Sequence, residues 1–169
     1  KWVRLSDVLL DDPKAQLGVD LERIAQQNVI VLLGLRPGAL TAQQIDALHR
    51  AVTQRGASVI LAAGDLTDLE GYGQNVLLSE LLPYRAGGRP AWRDWPGDRP
   101  AFRMVPARGS EAMDVVRLGE DVQDSTARWN MLPAVYHYLA LPQLKPNVLR
   151  TLLVEKDSQL PVLLESRLG

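Results

Sequence analysis

Two short, unbroken apolar runs with a capped helical stretch between them restrict what this chain can build more than any other feature. Val29-Ile30-Val31-Leu32-Leu33 is the first run, and Ser58 to Ala63, with Val59, Ile60 and Leu61 at its centre, is the second. Continuous apolarity rich in β-branched residues suits strands buried on both faces, as in a parallel sheet layered by helices. Between the runs, Thr41 stands at an N-cap position with Gln44 three residues later, which is the pattern of a capping box. Ile45, Leu48 and Val52 form one apolar stripe, while Gln43, Asp46, Arg50 and Gln54 fall on the wet side. Gly56 suits the left-handed residue that stops a helix. Two strands joined by one helix return parallel, with a right-handed crossover. Sheets of this kind place their sites at the carboxyl ends of the strands. Those ends are Gly34-Leu35-Arg36-Pro37-Gly38 and Ala63-Gly64-Asp65-Leu66-Thr67.

The remaining bounds are mostly exclusions. A chain of 169 residues predicts one domain, and a hydrophobic content of 46% is enough for a sizeable core. The net charge is −1, and the basic residues, 15 of 19 of them Arg, are scattered among acids. No nucleic-acid or membrane-surface partner follows from such a balance. No apolar run approaches the ~20 residues of a membrane span, and no signal peptide is visible. The absence of Cys excludes disulfides, thiolate zinc sites and a cysteine nucleophile together. There is no P-loop, Gly71-Tyr72-Gly73 does not extend to a dinucleotide fingerprint, and no Ser sits in a Gly-x-Ser-x-Gly elbow. No cofactor and no metal site is expected.

Along the chain, Lys1 to Leu5 alternates like a short strand and Ser6 to Leu10 reads as a helical turn. Asp20 is placed to cap a short helix with Leu21, Ile24 and Ala25 on its apolar face. A glycine-bearing loop follows Asp65, and Val76 to Leu82 reads as an apolar helix stopped by Pro83. Residues 84–106 form an irregular Pro/Trp/Arg-rich excursion, since Pro90, Pro96, Pro100 and Pro106 exclude helix over most of it. A short edge strand is expected at Phe102 to Val105 and another strand at Asp114 to Leu118. Ser125 is expected to cap a brief helix running through Trp129 and Leu132. Ala134 to Leu141 reads as extended. Val148 to Glu155 and Pro161 to Arg167 are two β-rich runs joined by Lys156-Asp157-Ser158-Gln159, a hairpin signal.

Asp65, Thr67, Asp68, Glu70 and Tyr72 cluster after the second strand. They suit a pocket for a small polar ligand or a hard cation, which prefers oxygen ligands. The commoner arrangement is a turn and helix-capping cluster. Arg36, with the turn amides near Gly38, could hold an anion or simply stand in solvent. His49 borders the apolar stripe, and His49 and His137 without a third ligand make no zinc site. Trp92 and Trp95, among Arg89, Arg93 and Arg99, suit either a recognition surface or a cover over the open edge of a sheet with Arg stacked upon it. Trp129, Tyr136 and Tyr138 are expected to pack the other flank.

Several fragments recur in an order that resembles a known family. They are Gly56-Ala57-Ser58-Val59-Ile60-Leu61, Glu70-Gly71-Tyr72-Gly73 with Leu81-Leu82-Pro83, Trp129 with Leu132-Pro133, Lys145-Pro146 with Leu152-Leu153, and Pro161-Val162-Leu163. Together they are similar to the class I glutamine amidotransferase-like superfamily. More narrowly, they resemble the amidotransferase-like domains of large bacterial membrane proteins that occur beside von Willebrand A-type domains. The resemblance implies a single α/β domain over residues 1–169 that continues beyond both ends in its parent. It further implies a flavodoxin-like three-layer fold with a mostly parallel sheet and a late β-hairpin. By position in the resemblance, Ala63 stands where such enzymes carry their nucleophilic cysteine, and His137 lies in an aromatic run rather than in the usual His-x-Glu pattern. Without a nucleophile the covalent route to glutamine hydrolysis is closed. What the resemblance implies is therefore a catalytically inactive interaction or scaffold module, a soluble domain of a membrane-anchored bacterial protein. Its partners would be other domains of the parent or a separate protein. The alternative is a ligand or cation pocket formed by Gly34, Arg36, Gly64 and the acidic cluster. A third possibility, an active glutamine amidotransferase, requires the nucleophile to come from a partner or a further segment.

Overall fold

The computed structural model describes residues 20–64, 69–85, 91–141 and 143–168. They fall into two compact units that part between Leu82 and Pro83.

The first unit contains the expected strand–helix–strand. Asp20 caps helix α1 (Leu21–Ala25), its carboxylate accepting from the amide of Glu22 at 3.0 Å. Strand β1 (Val29–Leu33) pairs in parallel with β2 (Ser58–Ala62), in the register Val29 to Ser58 through Leu33 to Ala62. A 3-10 turn (Pro37–Ala39) leads into α2 (Ala42–Arg55), the connecting helix. Its N-terminus is held by the full capping box: the Thr41 hydroxyl accepts from the Gln44 amide at 3.2 Å, and the Gln44 side chain accepts from the Thr41 amide at 2.9 Å. Gly56 ends the helix at φ 72°, in the left-handed region where any side chain is strained. Ile45, Leu48 and Ala51 are buried along one side of α2, and Ile30 is buried on the sheet. Helices α3 (Leu69–Gln74) and α4 (Val76–Leu81) complete the unit, with Leu78 buried and the Asn75 side chain capping α4.

The second unit is antiparallel. Strand β3 (Ala91–Asp94) pairs with β5 (His137–Ala140), and β4 (Met104–Pro106), β6 (Val148–Glu155) and β7 (Pro161–Ser166) form a separate sheet in the order β4-β6-β7. Helix α5 (Val122–Met131) lies between β4 and β5 in sequence. Phe102, Tyr138 and Ala140 form a small buried cluster with Met104, Val135, Leu160 and Val162 packed on it. Phe102 meets Tyr138 edge-on at 4.8 Å between ring centres. The β6–β7 turn closes over Glu155, which is buried although it is an acid.

This architecture corrects the expected flavodoxin-like, mostly parallel sheet. Only β1 and β2 are parallel; every other strand pairing among the described residues is antiparallel, in small separate sheets. The reason lies in the connections. A parallel return needs a crossover of a dozen or more residues, as α2 provides, whereas the few polar residues between β6 and β7 allow only a hairpin. Smaller expectations change too. Ala91–Asp94, inside the 84–106 stretch, is a strand, and the one expected at Phe102 to Val105 runs instead over Met104–Pro106. Asp114 to Val116 is a succession of turns, not a strand. Asp121, not Ser125, caps α5; Ser125 is buried inside the helix, and its hydroxyl accepts from the Leu118 amide at 3.1 Å. The expected strand at Lys1 to Leu5 and turn at Ser6 to Leu10 lie outside the described residues.

Candidate functional site

The two carboxyl ends of the parallel pair come together backbone to backbone. Gly34 donates its amide to the Ala62 carbonyl at 2.9 Å and takes φ 57°, a turn only glycine makes without strain. A Cβ on Gly64 would stand 3.4 Å from the Gly34 Cα, so Gly64 serves the close approach, while Gly34 serves the turn. Ala63, directly before Gly64, offers a methyl group at the bend. Tyr72 is not a ligand group lining this place. It is 1% exposed on α3, and its hydroxyl donates to the Leu35 carbonyl at 3.0 Å, tying α3 to the loop after β1. Burial pushes its pKa up to about 12, so the phenol stays protonated and donating at any physiological pH. Arg36 is half-buried in the same loop. Asp65, Thr67 and Asp68 lie outside the described residues, and Glu70 is described only as backbone within α3. His49 is elsewhere, its Nε2 within 2.7 Å of the Glu80 carboxylate, where it joins α2 to α4. Among the described residues no three His, Asp or Glu side chains group as a metal site would.

The second unit carries a different kind of surface. Antiparallel register puts Asp94 opposite His137 and Trp92 opposite Leu139, so these four share one face of the β3–β5 ribbon. The other face carries Tyr138 and Ala140, which are buried in the core, so the Trp92 face looks outward. On it, Trp92 lies flat against His137, with ring centres 4.4 Å apart and 13° between the planes. The His137 Nδ1 is 3.3 Å from the exposed Asp94 carboxylate. One step further along, the Trp95 amide donates to the Tyr136 carbonyl at 2.8 Å and the two rings meet edge-on at 5.3 Å. The Trp95 indole donates to the Arg99 carbonyl at 2.5 Å, while the Arg99 guanidinium lies over Phe102. Tyr136 is 62% exposed and Arg93 is exposed, but Arg93 stands opposite Tyr138, and by the same alternation Arg93, Trp95 and Tyr136 belong to the other side of the ribbon. Of the residues singled out in sequence, Trp92 therefore lies on the outward face while Arg93 and Trp95 alternate away from it, on a two-stranded ribbon and not over a parallel sheet. His137 completes the outward stack. It was legible only as part of an aromatic run, because nothing in sequence gives the register that sets it against Trp92.

A cavity of about 500 Å³ lies in the same unit, lined by residues that include Arg108, Ser110, Met113 and Arg150. The Arg150 Nε is engaged by Glu165 at 3.1 Å, and the Ser110 hydroxyl is turned to the carbonyls of Ala107 and Leu152. Both of these polar groups are thus engaged within the fold. No helix among the described residues is long and apolar enough to cross a membrane. Compared with family models, with curated proteins and with solved structures, the chain finds no match.

Proposed function

We propose that this chain is a non-catalytic interaction module of a larger bacterial protein, and that the aromatic ribbon of its second unit is the surface that engages the partner. The observation that carries this reading is the outward-facing stack of Trp92 on His137, with the exposed Trp95–Tyr136 pair at the end of the same ribbon. Rigid aromatic rings offer large contact area at small cost in side-chain entropy, and Trp, Tyr and Arg dominate binding hot spots. Cross-strand pairing already holds the rings in place, so little ordering remains to be done on binding. The amidotransferase-like resemblance supplies the non-catalytic half of the proposal. Where the second parallel strand bends, Ala63 has no atom able to attack a carbonyl. The partner is another domain of the same parent protein or a separate polypeptide.

Two measurements test this. Titration of the chain against the remaining domains of its parent, followed by tryptophan fluorescence, is expected to show saturable binding. Replacing Trp92 and Trp95 with Ala should weaken that binding by a factor of about 30 or more, the loss of a single hot-spot residue at ~2 kcal/mol. Unchanged affinity in the double variant refutes the surface. Ammonia release from glutamine, catalysed by the purified chain and lost on substitution at the Gly34–Gly64 bend, refutes the non-catalytic reading.

A further inference from the structure

The cavity of the second unit forms where β4 runs out beside β6. The pairing of β4 ends with Pro106 opposite Leu153, and the Ala107 amide adds one more bond, to the Leu152 carbonyl at 3.0 Å. The chain then turns at Gly109, φ 88°, and Arg150 and Thr151 of β6 are left on the wall of a space of about 500 Å³. That volume suits a small organic molecule. The turn is pinned from within. Ser110 is buried, its amide donates to the Ala107 carbonyl at 2.9 Å, and its hydroxyl lies 2.8 Å from the carbonyls of Ala107 and Leu152. Arg108 is therefore carried on a fixed support, and little ordering of its backbone remains for a ligand to impose.

Two guanidinium groups share this space. Arg108 is exposed, and among the described residues no hydrogen bond or ion pair engages it. Arg150 is engaged on one side only: its Nε meets Glu165 at 3.1 Å, whereas its Nη1 has the Met113 thioether at 3.5 Å, a weak acceptor. Met113 lines the same cavity. Among the described residues no Asp, Glu or His does. Two carboxylates stand close by, but Glu165 is held on Arg150 and Glu111 accepts from the Gly109 amide at 2.7 Å.

We propose that this cavity binds a small organic anion, its carboxylate or phosphate taken by Arg108 and Arg150 and its apolar part resting on Ala107 and Met113. The planar fork of a guanidinium matches the paired oxygens of either group. An incoming oxyanion would also give Arg150 a charged acceptor in place of a thioether. A hard cation would meet two positive charges and no carboxylate on the wall.

The ¹⁵N-labelled full chain, titrated to about 10 mM with phenyl phosphate and separately with benzoate, tests this. Saturating shifts are expected at the amides of residues 108–113, Arg150 and Thr151 with at least one of the two, and the tighter of them tells phosphate from carboxylate. Neutral phenol should leave those signals in place. Arg108→Gln, at an exposed position with no protein contact to lose, should weaken the binding about tenfold or more while the rest of the spectrum is unchanged. The proposal is overturned by the absence of saturating shifts at these residues with both anions. Phenol binding as tightly as the anions overturns it too, as does an affinity that Arg108→Gln leaves unaltered.

Discussion

Replacing Glu155 with Gln should unfold the second unit at a markedly lower temperature, and the size of the effect follows from the turn it holds. Glu155 is 2% exposed at the end of β6. One carboxylate oxygen accepts from the Asp157 amide at 3.1 Å and the other from the Ser158 amide at 2.7 Å. The same residue's carbonyl accepts from Gln159, which takes φ 57° to close the turn. Burial pushes the Glu155 carboxyl upward, but the Ser158 hydroxyl and the backbone amides of Ser158, Asp157 and Arg103 outweigh it, leaving the pKa below the usual carboxylate range. Glutamine preserves the shape but has one acceptor oxygen. Its NH₂ must face one of the two amides donor to donor. Hydrogen bonds to a charged group contribute about 1.5–3 kcal/mol, and a buried donor left unsatisfied costs a comparable amount. Relief of the charge's desolvation offsets part of this, so the net loss is about 2 kcal/mol. In a unit of this size that lowers Tm by roughly 8–16 °C. Thermal unfolding followed by near-UV circular dichroism at pH 7 measures it. The pH dependence gives a second handle. A folded-state pKa below the unfolded value means that folding favours the ionised form. That stabilisation is whole above about pH 5, and it is lost as pH falls through the ordinary Glu value of about 4.3 and then through the lower folded one. The gap between wild type and Glu155→Gln should therefore be constant from pH 5 to 8 and narrow in acid. A variant that melts within about 2 °C of wild type at pH 7, or a gap that widens in acid, refutes the reasoning.

Two other positions give equally definite outcomes. Tyr72→Phe removes the hydroxyl that holds the Leu35 carbonyl and should cost the first unit about 1 kcal/mol in urea titration. Because the folded phenol titrates at about 12 rather than 10.0, wild-type stability should fall from about pH 10 upward, a decline the Phe variant lacks. Gly119→Ala should destabilise the start of α5 by about 1–3 kcal/mol, since a Cβ there would run into the Asp124 side chain and stand 2.6 Å from the Ser125 amide. A urea midpoint equal to wild type would show that the first turn of α5 yields more easily than its capping bonds imply.

Some of this was readable from the chain alone because the contacts involved are local. The Thr41–Gln44 box, the Asp20 cap, the left-handed Gly56 and the polar turn between β6 and β7 each depend on residues within a few positions of one another. Such signals survive without knowledge of the rest of the molecule. The α2 crossover likewise makes the β1–β2 pair parallel, because one helix between two apolar runs leaves little choice. The same local logic misplaced the cap of α5, where Asp121 and Ser125 are both good candidates. The structure decides between them by burying Ser125 under the Leu118 amide.

What the amino-acid order determined by itself is thus a set of caps, stops and turns, one parallel strand pair, and an alanine, Ala63, directly after the second strand. Tertiary structure alone decided which strand each remaining run would pair with, and so which side chains share a face. Trp92 meets His137, some 45 positions away, only through the register of two antiparallel strands. Tyr72 turns inward because the carbonyl of Leu35 lies within its reach, not because of any neighbour in sequence. The physical reason is that strand pairing uses backbone hydrogen bonds common to all residues. Pairing is chosen by the burial each arrangement achieves, and burial is a property of the packed molecule.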